Sequence, residues 1–186
     1  MKKISIFLLF TIMTGCGVIG ALMGNYDTRV SSEPLLLEEG IIVATLTTEY
    51  EPVSTVPSLL FMKENECIGF MAFSKGQIQV GSRNINLLKL PEGVYRNSNW
   101  GIYINRPPTW GKYIYPTDGY DLRVTAQAGK IVYVGHFVTS ETGIEVRNNQ
   151  EEDMEVVFEQ HPYLRELELV ADIASIEAYQ PWDHCR

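Results

Sequence analysis

Three features of the chain predict a mainly β fold, an antiparallel β-sandwich with one C-terminal helix. Short apolar and β-branched runs recur about every ten residues between Ile41 and Val138, each bounded by turn residues. Two of the gaps, Pro91-Glu92-Gly93 and Ala128-Gly129-Lys130, have the composition of tight hairpin turns. Helical spacing appears once and late, at Met154, Val157, Phe158 and His161.

The strands follow in chain order. Ile41 to Tyr50 (IIVATLTTEY) is β-branched and partly alternating. Ser58 to Glu64 and Cys67 to Phe73 are short apolar runs. Ile85 to Tyr95 divides into strand, turn and strand: Pro91 presets φ and Gly93 can take the positive φ that closes the loop. From Tyr120, Leu122, Val124 and Ala126 alternate inward with Arg123, Thr125 and Gln127 outward. The return strand, Ile131 to Val138, is apolar on both faces, as a central, doubly covered strand would be. The helix is expected over about residues 150–161. Asn149 and Glu152 are placed to cap it, and Pro162 ends it. Leu167, Leu169 and Ala171 suggest a last strand leading into a turn or short helix.

The first sixteen residues carry an address. Lys2 and Lys3 precede an apolar run from Ile4 to Met13, and small Thr14 and Gly15 come just before Cys16. This resembles the lipobox of bacterial lipoprotein precursors, with Met13 in the usual leucine position. The resemblance implies cleavage before Cys16 and acylation of that residue. It divides the chain into a signal peptide (1–15), a lipidated N-terminus and tether (16–39) and a β-domain (40–186). Two or more acyl chains give stable membrane attachment, at about 0.8 kcal/mol per buried methylene. Gly17 rather than aspartate follows the cysteine, which in Gram-negative relatives implies the periplasmic face of the outer membrane. The alternative is an uncleaved span. Ile4 to Tyr26 carries no charge, and such a run can cross a bilayer core of about 30 Å.

Two further segments resemble small, uncharacterised envelope lipoproteins with a prealbumin-like β-sandwich. Leu90, Pro91, Gly93 and Tyr95 fit one turn motif, and Gly129, Tyr133 and Gly135 fit a strand motif. That resemblance implies fold and compartment and no activity.

Without the first fifteen residues, 13 basic and 23 acidic side chains remain, a net charge of −10. Nucleic acid is thereby excluded as an expected partner, since phosphate binding needs a basic footprint. Ten of the acidic residues lie between Gln150 and Arg186, where a solvated helix face explains most of them. The three adjacent acids Glu151, Glu152 and Asp153 open the helix, a place the helix dipole favours.

Aromatic residues concentrate between Arg96 and Tyr120. Trp100, Tyr103, Trp110, Tyr113 and Tyr115 stand among asparagines and charged groups, a composition that can stack on the C–H face of a sugar. Core packing is the competing explanation for the same residues. His136 is expected buried with a hydrogen-bond partner, and His161 to pack on the helix. Asp183, His184 and Cys185 are potential metal ligands, but adjacent residues seldom complete a tetrahedral set. No metal, cofactor or catalytic set is expected. Lipidation of Cys16 leaves Cys67 and Cys185, an even count in an oxidising compartment, from which a Cys67–Cys185 disulfide is expected. The expected function is a lipid-anchored envelope protein acting as a non-catalytic binding or scaffolding module for an envelope protein. A glycan- or peptidoglycan-binding lipoprotein and an envelope hydrolase are the alternatives.

Overall fold

The computed structural model describes residues 35, 37–49, 55–64, 69–73, 81–104, 112–114, 120–140 and 143–178. The described residues are mainly strand, in two sheets, with one α-helix among them. Sheet A contains β1 (Glu39–Thr48), β4 (Asn84–Pro91), β8 (Lys130–Thr139), β9 (Ile144–Arg147) and β10 (Glu168–Ala171). Sheet B contains β2 (Thr55–Lys63), β3 (Gly69–Phe73), β5 (Gly93–Ile104), β6 (Lys112–Ile114), β7 (Tyr120–Ala126) and β11 (Ser175–Ala178). The helix α1 spans Gln150–Gln160, and a 3-10 turn follows at Pro162–Glu166.

β1 and β8 lie at the centre of sheet A, where every residue from Ile41 to Thr48 and from Ile131 to Thr139 is buried. Such continuous burial requires cover on both faces. On one side Ile42, Ala44, Leu46, Val132, Val134 and Phe137 share a hydrophobic cluster with sheet B residues, among them Phe61, Tyr95, Leu122 and Val124. The Phe61 and Phe137 rings meet edge to face at 6.5 Å. On the other side Ile41, Val43, Ile131 and Tyr133 meet Met154 and Val157 of α1 and Leu164 of the 3-10 turn. Each fully buried aliphatic side chain there contributes about 1.5–3 kcal/mol.

One part of the expectation is corrected. Sheet A is mixed: β8 pairs in parallel with both β1 and β10, while β1–β4 and β8–β9 are antiparallel. The all-antiparallel reading rested on hairpin neighbours in sequence. β1 and β8 are instead separated by the whole of sheet B's main strands, so no local turn fixes their direction.

Gly135 makes that pairing possible. The β1–β8 register shifts between Val43 and Ala44, so Val134 is an extra residue and β8 bulges there. Gly135 sits at φ +121°, and a Cβ on it would stand 2.6 Å from Val146 Cγ1. The bulge also turns His136 onto the same face as Tyr133, toward α1, while Phe137 joins Val132 and Val134 in the other cluster.

The two sequence motifs prove to be structural ties. Tyr95 Oη donates to the Pro91 carbonyl at 2.8 Å, closing the β4–β5 turn. Glu92 N donates to Glu38 O and Gly129 N to Glu39 O, so both turns fasten the start of β1. Three elements went unread in the sequence, β6, β9 and the 3-10 turn, and β11 replaces the expected final turn or short helix.

Candidate functional site

The densest buried polar group lies between sheet A and the first turn of α1. Tyr133 on β8 is fully buried, and its hydroxyl donates to Asp153 Oδ2 at 2.6 Å. Tyr133 Oη in turn accepts the Asn149 backbone N–H at 3.3 Å. Burial, then the hydrogen bond to Asp153, push the phenol well above its ordinary pKa. One turn along the strand His136, 4% exposed, sits between two partners. Asn149 Nδ2 donates to its Nδ1 at 2.8 Å, which leaves Nε2–H to donate to Thr47 Oγ1 at 2.7 Å. That pattern is the neutral ring. Burial lowers the His136 pKa; Asp153 and Glu152 oppose the shift, and Arg83 and Arg147 add to it.

The expected helix cap is therefore corrected. Asn149 is the N-cap residue, but its side chain makes no capping bond, because it is drawn onto His136. Asn148 Oδ1 accepts the Gln150 N–H instead, at 3.2 Å. Glu152 pairs with Arg83 at 2.6 Å rather than closing a capping box. Arg83 also reaches to 3.7 Å from Asp153 Oδ1, an oxygen buried without a hydrogen-bond partner. The acids at the helix start thus divide: Glu151 and Glu152 are exposed as the dipole argument expects, while Asp153 is 1% exposed and bonded into the sheet.

Chemically, this cluster is a joint. Each nitrogen of His136 has a partner and the Tyr133 hydroxyl is engaged twice. A depression at the helix start is lined by Asn148, Asn149, Gln150, Glu151 and Glu152, and neither Tyr133, His136 nor Asp153 lines it. His161 is partly buried, its ring edge-on to Tyr163 at 5.9 Å.

A second charged group lies on the face of sheet B opposite the core. Arg96 on β5 is bound by Asp121 on β7 through both Nε and Nη2, and lies 3.6 Å from Glu64. Asp121 is only 1% exposed, so this is a buried pair. Arg123, two residues along β7, is the direct register partner of Arg96. Its Nε is buried without a hydrogen-bond partner. The sequence marked Arg123 only as outward-facing; the signal it missed was a second arginine opposite in register.

Of the aromatic candidates, Trp100 lies opposite Leu59, and Tyr103 opposite Tyr113 on β6. Trp110 and Tyr115 lie outside the described residues, as do Cys16, Cys67 and Cys185 and the terminal Asp183-His184-Cys185. Among the described residues no helix is long and apolar enough to cross a membrane.

No family model and no curated protein matches the chain. A leucine-rich repeat protein of known structure from Bacteroides thetaiotaomicron VPI-5482 is similar over 57% of this chain, at 13% identity and a TM-score of 0.35. The match spans 15% of that protein's length, a likeness too slight to bear on fold or function.

Proposed function

We propose that the chain is a bacterial lipoprotein, cleaved before Cys16, acylated there and held at the periplasmic face of the outer membrane. Its β-domain acts as a non-catalytic binding or scaffolding module. The observation that carries the address is Met13-Thr14-Gly15-Cys16 at the end of an uncharged apolar run. The non-catalytic reading is supported by the state of the titratable groups beneath α1. A general base must meet solvent or substrate in its working protonation state, whereas His136 is buried, neutral and bonded on both sides. A Cys67–Cys185 bridge belongs to the same proposal, as the oxidised state that compartment favours.

A second reading, glycan binding, is favoured by one observation: Tyr103 and Tyr113 are register partners on neighbouring strands. Paired aromatic positions on a sheet face suit a stacked sugar ring.

Fractionation of cells tests the address. The wild-type protein should follow the outer membrane, and Cys16→Ser should not. Equal membrane recovery of both would remove the lipid anchor from the account. In-cell crosslinking of the wild type then identifies the envelope component that the domain contacts.

A further inference from the structure

The start of α1 closes over a buried histidine, and one side chain joins that histidine to the surface. His136 is 4% exposed, with Nε2 bonded to Thr47 of β1 and Nδ1 to Asn149. Asn149 is half-buried and lines the polar depression it shares with Asn148, Gln150, Glu151 and Glu152. It stands between the ring and a surface on which Asn148, Glu151 and Glu152 are exposed. Thr47 and His136 lie in the same sheet, whereas Asn149 belongs to the helix that covers it. Displacing Asn149 with the first turn of α1 therefore uncovers Nδ1 without moving a strand. Met154 and Val157, further along, pack with Ile41, Val43 and Ile131 and hold the body of the helix in place.

The bond to Asn149 depends on which ring nitrogen carries a proton. With Nε2–H donating to Thr47, Nδ1 is an acceptor and takes the Asn149 N–H. A proton on Nδ1 makes both nitrogens donors and sets donor against donor at 2.8 Å. It also puts a cation where water scarcely reaches. Asp153 and Glu152 on α1 favour that cation; Arg83 before β4 and Arg147, the register partner of His136 on β9, oppose it. Glu152 is committed to Arg83, and Arg147 to Glu145 and Glu49. Asp153 Oδ2 is taken by the Tyr133 hydroxyl, which burial holds neutral. From β1 come only the uncharged Thr45 and Thr47. Burial outweighs the carboxylates, so the closed arrangement prefers the neutral ring.

We propose that Asn149 is a pH-controlled gate, and that protonation of His136 expels its side chain and releases the first turn of α1 from sheet A. The gate is shut above about pH 7. As pH falls through about 6.5, where a solvated histidine titrates, the open form gains a proton that the shut form binds weakly. Opening then becomes easier by at most about tenfold per pH unit. It joins the depression to the buried groups of Tyr133, His136 and Asp153, so that a surface hollow becomes a cleft with titratable groups on its wall. Asn149, once off the ring, is free to cap α1, the role its N-cap position prescribes, and the released turn keeps its helical form.

The test is amide hydrogen exchange of the purified protein in detergent, read by mass spectrometry at pH 7.5 and 5.5 and corrected for intrinsic rates. The Asn149 N–H, bonded to Tyr133, and the Asp153 N–H, bonded to the Asn149 carbonyl, report on the gate. Protection of the segment that carries them should fall about tenfold between the two conditions, since 5.5 lies about one unit below a solvated histidine's pKa. The amides of β1 and β8 should not change. Asn149→Asp places a carboxylate on Nδ1, where it pairs with the charged ring, so that variant should keep its protection in acid. His136→Gln has nothing to titrate there and should keep its protection too. Unchanged wild-type protection at pH 5.5 would overturn the gate, the amide then turning over to receive the proton through Oδ1. An acid loss that survives in Asn149→Asp or His136→Gln would assign it to other groups, and one shared equally by β1 and β8 would show global unfolding; either overturns the gate. Asn149→Asp decides the matter even where His136→Gln fails to fold.

Discussion

Replacing Tyr133 by phenylalanine should undock the start of α1. The hydroxyl is the donor to Asp153 Oδ2 at 2.6 Å and the acceptor for Asn149 N at 3.3 Å, both at the point where the helix meets sheet A. Phenylalanine fills the same space, so the change removes bonds without opening a large cavity. A hydrogen bond to a charged group is worth about 1.5–3 kcal/mol, and a buried group left unsatisfied costs a further 1–3. Asp153 is 1% exposed and its other oxygen already lacks a hydrogen bond, with only Arg83 nearby at 3.7 Å. Water cannot readily replace the lost donor, so the expected destabilisation is about 3 kcal/mol. Equilibrium urea unfolding measures it, with an unchanged m-value showing that the same surface unfolds. Asp153→Leu in the Tyr133→Phe background should recover part of the loss, because an apolar pair strands no charge. A Tyr133→Phe variant within about 0.5 kcal/mol of wild type would refute the joint, since that is the scatter of neutral substitutions.

Two further outcomes follow from the same face of sheet A. The folded-state pKa of His136 is depressed below its unfolded value near 6.5, so below that value the unfolded chain binds the extra proton. Stability should therefore be complete above about pH 7 and decline as pH falls toward 5, by at most about 1.4 kcal/mol per unit for one group. His136→Asn should flatten that window in pH-dependent urea unfolding; an unchanged slope would assign the loss to other groups. Gly135→Ala should cost about 2–5 kcal/mol in the same assay, from positive φ and the 2.6 Å contact with Val146, and near-neutral behaviour would show the bulge can relax.

The legible part of the fold was the part written in local pattern. Leu122, Val124 and Ala126 are buried and Arg123 and Thr125 are not, as alternation requires. The doubly apolar run from Ile131 shows as the buried centre of sheet A, and α1 lies within one residue of its expected end. His136 is buried with partners, as its place on that strand implied. What local pattern does not encode is which distant strands meet. The parallel β1–β8 pairing, the Arg96–Arg123 register and the capture of Asn149 by His136 all join residues through the tertiary fold. Asn149 had the right chemistry for a cap, and a stronger partner thirteen residues away took its side chain. β9 was missed because four residues of alternating polar and apolar character, Ile144–Arg147, give too short a period to recognise.

Mass spectrometry of the mature amino terminus decides whether Cys16 carries the proposed lipid anchor. Protein extracted from membranes should begin at Cys16 and carry acyl chains on that residue, with nothing from Met1 to Gly15 attached. An intact Met1–Gly15 segment on an unmodified Cys16 would contradict it and assign the apolar run to an uncleaved span.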